Sequence, residues 1–143
     1  MENINQAPSD SITSTRKHII FVYGTLRNGF GNHYLLESST LIGEAQTKIR
    51  YALYADGIPY LSRSSAISQV TGEVYSVDRV TLMRLDQLEG HPHFYTRDLA
   101  TVVLHDGTEI EAWIYFHDAI RGDLIESGDY LQKDSARRRQ QSV

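Results

Sequence analysis

The stretch Ile19-Ile20-Phe21-Val22-Tyr23-Gly24-Thr25-Leu26-Arg27-Asn28-Gly29 decides how the rest of the chain is read. Four apolar residues, most of them β-favouring, run into an aromatic, and a Gly-Thr turn follows at once. A buried strand that stops on Tyr-Gly-Thr leaves consecutive backbone N–H groups at its end, and such groups can form an anion-binding concavity. The same spacing also fits a core strand followed by an ordinary turn. Both readings stand open at this point.

Working outward, the flanks supply the rest of a single domain, as 143 residues suggest. Residues 1–17 are Ser-, Thr-, Asn- and Gln-rich without periodicity and read as a disordered leader. Downstream, Asn32–Ser38 suits a short helix. Ile49, Tyr51 and Leu53 alternate with polar or small residues, which predicts a half-buried strand. Asp56-Gly57 is a turn, and Pro59 makes Ile58–Leu61 an edge strand or an irregular wall segment. Val70–Val77 alternates clearly. Asp78 is placed to cap a helix over Arg79–Glu89 that Gly90 ends. Phe94–Leu104 and Glu109–His117, joined at His105-Asp106-Gly107, form the clearest hairpin. Short strands with one substantial helix give an α+β class, a small mixed β-barrel with one main flanking helix and short helical segments.

Composition excludes several classes of function. Cysteine is absent, so there is no disulfide framework, thiolate metal site or cysteine nucleophile. No apolar run approaches the roughly 20 residues of a membrane-spanning helix. Met1–Thr15 lacks the apolar centre of a secretory signal; the expectation is a cytoplasmic protein with no membrane partner. Between His18 and Gln132 eight Lys/Arg face fifteen Asp/Glu. That acidic balance argues against a nucleic-acid partner for the folded part, which is expected over 18–132. Residues 133–143, with Arg137-Arg138-Arg139, read as a basic flexible tail rather than a binding arm. Nine tyrosines against one tryptophan fit either a polar pocket or plain β-structure.

The helix carries an anomaly. With 100° per residue, Glu89 falls about 20° from Leu82 and about 40° from Leu85, on the apolar stripe that should face the core. Asp86 sits at the stripe's edge. A carboxylate there either fans outward or pairs with Arg97, or it opens into a pocket. In the last case desolvation raises its pKa and makes it a general base near neutral pH. His91-x-His93 beside it is a poor metal motif, because Pro92 breaks the helical spacing and no further ligands cluster nearby; no metal and no cofactor are expected. Gly24-x₄-Gly29 lacks the Lys-Ser/Thr of a phosphate loop, and no Gly-x-Ser-x-Gly elbow is present.

Phe21-Val22-Tyr23-Gly24-Thr25-Leu26-Arg27 resembles the signature loop of the γ-glutamylcyclotransferase-like family, particularly its γ-glutamylamine cyclotransferase branch. Leu85-Asp86-Gln87-Leu88-Glu89-Gly90 followed by Phe94-Tyr95-Thr96-Arg97 is similar to that branch's second signature. Ile58-Pro59-Tyr60-Leu61 and Gly72-Glu73-Val74-Tyr75 stand between them in the same order, so the resemblance runs from about His18 to His117. It implies a small mixed barrel, Glu89 as proton acceptor, and a Tyr23-Gly24-Thr25-Leu26 loop that binds a γ-glutamyl group, the small-molecule partner. It further implies Tyr60 and Tyr95 as pocket walls. Ser127-Gly128-Asp129-Tyr130 is similar to a C-terminal Gly-Asp-aromatic element of bacterial members. The implied reaction closes 5-oxoproline and frees an amine. A non-catalytic module that binds a carboxylate or γ-glutamyl ligand is the alternative.

Overall fold

The computed structural model describes residues 17–131 except 28 and 30. The basic tail and all of the leader but Lys17 lie outside the described residues. Five strands close a barrel in the order β1 (His18–Val22), β5 (Thr71–Val77), β2 (Thr40–Thr47), β6 (Thr96–Leu104) and β7 (Glu109–Phe116). Neighbours are antiparallel except β1 and β7, which meet in parallel at Ile20 and Trp113 and so make the barrel mixed. A second sheet of three strands, β4 (Ile58–Ser62), β3 (Ala52–Asp56) and β8 (Asp123–Leu124), packs beside it. The α+β barrel expected from the sequence is the architecture found.

The apolar continuity of β1 has a direct cause. Phe21 points into one core with Val74, Val102, Ala112 and Ile114, whereas Ile20 and Val22 point into another with Tyr75, Leu82, Leu85 and Tyr115. A strand buried on both faces reads as an unbroken apolar run. β5 behaves likewise: Val74 faces the first core, Tyr75 and Val77 the second.

Helix α1 (Arg79–Glu89) covers the second core. The Asp78 carboxylate accepts from Thr81 N at 2.8 Å, and Gly90 ends the helix in the left-handed region at φ 68°, where a Cβ is unfavourable. A 3-10 helix over Gly31–Leu36 stands where the short helix was predicted. β4 is an edge strand, as Pro59 dictates.

One prediction fails. The strand runs over Thr40–Thr47, and Ile49 lies in a loop, 57% exposed. The alternation at Ile49, Tyr51 and Leu53 imitated a strand because Tyr51 is buried by a different route: it makes an isolated bridge to Ser68 before β3 begins. No helix among the described residues is long and apolar enough to cross a membrane.

Candidate active site

The end of β1 opens into a cavity of about 200 Å³. Tyr23, Gly24, Thr25 and Leu26 form one wall and Glu89, from the last turn of α1, stands in another. The Tyr23–Leu26 loop and Glu89, more than sixty residues apart in the chain, therefore meet. They meet because β1 and α1 share the second core: Ile20, Val22 and Leu26 pack with Leu82 and Leu85, and Glu89 follows Leu85 by one helical turn.

The loop is held rigidly from three sides. Arg27 N donates to the Gly24 carbonyl at 3.0 Å and closes the turn. Asn32 donates through Nδ2 to Thr25 Oγ1 at 2.9 Å and through its backbone N–H to the Thr25 carbonyl at 3.1 Å. His33 Nδ1 donates to the Leu26 carbonyl at 3.1 Å. The carbonyls are thus occupied, whereas the N–H groups of Gly24, Thr25 and Leu26 donate to no acceptor among the described residues. Gly24 is required by contact: a Cβ there would lie 2.4 Å from Pro59 Cγ.

The Glu89 carboxylate makes no hydrogen bond or ion pair among the described residues, although its backbone carbonyl accepts from Tyr95 N at 3.2 Å. Burial is what pushes its carboxyl up, to about 7. The sequence left Arg97 as a partner for it, but Arg97 is taken by Asp86. Its guanidinium grips that carboxylate at 2.7 and 3.0 Å and stacks 4.3 Å from the Trp113 ring centroid. Tyr115 Oη donates to the same carboxylate at 2.7 Å. Desolvation would raise Asp86, but these hydrogen bonds and the Arg97 charge outweigh it and hold the carboxyl below its ordinary value. Two acids three residues apart on α1 thus have opposite environments.

Tyrosines build the remaining walls. Tyr23 Oη donates to the Tyr115 carbonyl at 2.6 Å, and Tyr95 Oη donates to the Pro59 carbonyl. Desolvation raises the pKa of Tyr23, Tyr95 and Tyr115 alike, so these hydroxyls stay protonated. Tyr60, expected as a wall, does not reach the cavity. Its ring is 5% exposed and stacks behind Tyr95 at 6.3 Å between centroids. Pro59 lines the cavity, and Tyr60, the next residue of β4, turns into the aromatic group of Phe94, Tyr95 and His117.

Sequence reasoning missed Asn32 and Tyr115. Asn32 was visible only as the first residue of the predicted short helix. Tyr115 lies in the predicted return strand, where alternation does not show that both faces are buried; Ile114, Tyr115 and Phe116 are 0%, 3% and 2% exposed. His91 and His93 do not line the cavity, and His91 Nδ1 accepts from Arg97 N at 3.2 Å.

Comparison with known proteins shows the family and the fold. The family described as gamma-glutamyl cyclotransferase, AIG2-like, matches residues 20–132. The chain is 51% identical over 112 residues, 78% of its length, to 93% of a candidate gamma-glutamylcyclotransferase from Methanocaldococcus jannaschii. It is 35% identical over 119 residues to the gamma-glutamylcyclotransferase family protein YtfP of Escherichia coli K12, covering 80% of this chain and 97% of that one. Among solved structures it resembles an AIG2-like protein from Mus musculus with a TM-score of 0.71 at 27% identity, over 80% of this chain and 88% of that one. An uncharacterized protein from Pyrococcus horikoshii is similar at TM-score 0.69 and 29% identity, over 85% and 97% of the two chains. On these matches the chain belongs to the gamma-glutamyl cyclotransferase, AIG2-like family and is a cyclotransferase-like enzyme.

Proposed function

We propose that the protein converts a γ-glutamyl amine or γ-glutamyl amino acid to 5-oxoproline and the free amine, with Glu89 as general base. The observation that carries this is the pairing, across one cavity, of an uncompensated carboxylate with unoccupied backbone N–H groups. A zwitterionic γ-glutamyl group suits both: its ammonium faces Glu89, and its carboxylate or γ-carbonyl faces the Gly24–Leu26 turn. Phosphate would suit the turn alone, since Glu89 would repel it.

The reaction is an intramolecular aminolysis. Glu89 takes a proton from the α-ammonium, whose free amine attacks the γ-carbonyl carbon. A C–N bond forms, the carbonyl pair moves to oxygen, and the loop N–H groups receive the developing charge. As the carbonyl reforms, the original amide C–N bond breaks and the proton held by Glu89 passes to the departing nitrogen; the ring nitrogen then gives up its second proton through the carboxylate so regenerated, and the products are 5-oxoproline and the amine as its ammonium. No water, redox partner or covalent enzyme intermediate is consumed. A carboxyl group that titrates near neutrality is matched to these transfers. The rigid loop and tyrosine walls fold the glutamyl chain toward ring closure, an orientation effect.

The test is 5-oxoproline release from γ-glutamyl amides and dipeptides by wild type and Glu89→Gln. The variant keeps the shape of the site and should lose about 10²–10⁴-fold in kcat. Equal turnover by the variant removes Glu89 from the mechanism. Binding of γ-glutamyl compounds with no turnover by wild type supports the binding-module alternative instead.

A further inference from the structure

The 3-10 helix that follows the signature loop puts one polar side chain into the cavity wall. Asn32 is its second residue and lines the cavity together with Thr25. The same helix fixes its place. Leu36 is buried in the second core with Leu26, and His33 donates to the Leu26 carbonyl and lies 5.9 Å from the Tyr75 ring centroid. Asn32 therefore has little freedom to turn, and both of its bonds go to one residue. Its backbone N–H donates to the Thr25 carbonyl, and its Nδ2 donates to Thr25 Oγ1.

The direction of the second bond decides what the hydroxyl can do. An amide nitrogen only donates, so Thr25 Oγ1 is the acceptor and its own proton must go elsewhere. That proton meets no acceptor among the described residues. Thr25 is half-buried and lines the cavity, so its O–H is left for whatever the cavity holds. In contrast, the hydroxyls of Tyr23, Tyr95 and Tyr115 all donate to protein acceptors. An amine attacks a carbonyl carbon from behind the C=O bond. The γ-carbonyl oxygen therefore points away from the attacking nitrogen and from Glu89, which takes its proton. With Glu89 and Thr25 on separate walls, the loop wall is the one left for the oxygen.

We propose that Asn32 is a positioning residue and that the Thr25 hydroxyl it orients is a catalytic donor to the γ-carbonyl oxygen. The inference rests on the cyclotransferase reading above and deepens it: a side-chain donor joins the backbone N–H groups of the turn. As the amine adds and charge gathers on the oxygen, the hydrogen bond from Thr25 strengthens, and the hydroxyl keeps its proton throughout. Asn32 holds Oγ1 before substrate arrives, so the donor needs no reorganisation at the moment of reaction. A preorganised donor of this kind counts most in the transition state.

A double-variant cycle on 5-oxoproline release tests this, with kcat read on the plateau above the Glu89 limb. Thr25→Val removes the hydroxyl at nearly constant shape. It should lower kcat by about 10²-fold, the scale for one oxyanion donor, and leave KM little changed. Thr25→Ser returns the hydroxyl and should recover most of that loss. Asn32→Asp puts an acceptor where the donor was, so the hydroxyl turns to the new carboxylate and kcat should fall by a similar factor. In the Thr25→Val background there is no hydroxyl to turn, and Asn32→Asp should then cost less than about threefold, the mark of two residues acting as a unit. Losses that multiply in the double variant overturn the action of Asn32 through Thr25. A Thr25→Val enzyme that keeps the wild-type kcat, or that changes in KM alone, overturns the hydroxyl as oxyanion donor and leaves the cyclotransferase reading intact. No release of 5-oxoproline by wild type from any γ-glutamyl amide or dipeptide overturns both.

Discussion

At the scale of single residues, Glu89 and Gly24 carry opposite kinds of constraint. Glu89 is an electrostatic compromise: its carboxyl is raised to about 7 by desolvation alone. A group whose folded pKa lies above its unfolded value binds more protons in the native state, so stability falls as pH rises between the two values. For Glu89 that window runs from 4.5 to about 7. Glu89→Gln has no such cost, so its Tm advantage over wild type should grow as pH is raised through that window and level off above it. A constant Tm difference across pH would contradict the desolvated carboxylate. Activity runs the other way, because the base must be ionised: kcat should rise with pH along a limb centred near 7. Gly24 is a steric constraint. Its missing Cβ is the space occupied by Pro59 Cγ, 2.4 Å from where that atom would be. Gly24→Ala forces β4 and the loop apart, and displacement of the loop donors should reduce kcat/KM by about 10²-fold while the fold survives. Steady-state kinetics beside circular dichroism checks it.

At the scale of elements, α1 works by separating two carboxylates that sequence alone puts side by side. Its limits were legible to the residue, because Asp78 and Gly90 are chemically unambiguous caps. The position of Glu89 on the buried stripe was legible as well, from angle alone. Its freedom from Arg97 was not, because helix geometry brings both Asp86 and Glu89 toward the same strand and the choice is made in three dimensions. Tyr115 and Trp113, two residues apart on one face of β7, make it: the hydroxyl of one and the ring of the other fix Arg97 on Asp86. The arrangement predicts a coupling. Asp86→Asn removes a negative charge near Glu89 and leaves the Arg97 cation uncompensated. Both changes favour the ionised form of Glu89. The kcat limb should shift to lower pH, with a lower maximal rate as the charge-assisted bonds that Tyr115 and Arg97 make to Asp86 weaken. A limb that stays in place would show that the Asp86–Arg97 pair has no electrostatic connection to the base.

At the scale of the whole molecule, the barrel closes through pairings that local pattern does not contain. The β6–β7 hairpin and the strand character of β1 and β5 were readable from alternation and turn residues. The parallel meeting of Ile20 with Trp113, which seals the barrel, joins segments at opposite ends of the domain and leaves no local signal. The C-terminal segment is the same kind of long-range closure. Ile125 N donates to the Leu53 carbonyl at 2.7 Å and Thr71 N to the Gly128 carbonyl at 2.9 Å, which anchors the segment on both sheets. From there Asp129 reaches Arg27, which follows the signature loop directly, and pairs with its Nη1 at 2.9 Å. The Arg27 side chain is 4% exposed and its Nε has no hydrogen-bond partner among the described residues. Its charge is thus tolerated through few contacts, with Asp129 the ion-pair partner. Removing one member of a buried pair is strongly destabilising, whereas replacing both with apolar groups of similar size is often neutral. Asp129→Ala should therefore lower stability by about 3 kcal/mol, the scale for an uncompensated buried charge. Arg27→Met combined with Asp129→Leu should recover much of that. If the pair also holds the loop in register, kcat/KM of the double variant should stay below wild type even where its denaturation midpoint is restored. Chemical denaturation and steady-state kinetics on the same three proteins separate the two effects, and a double variant with full activity would confine the pair to stability.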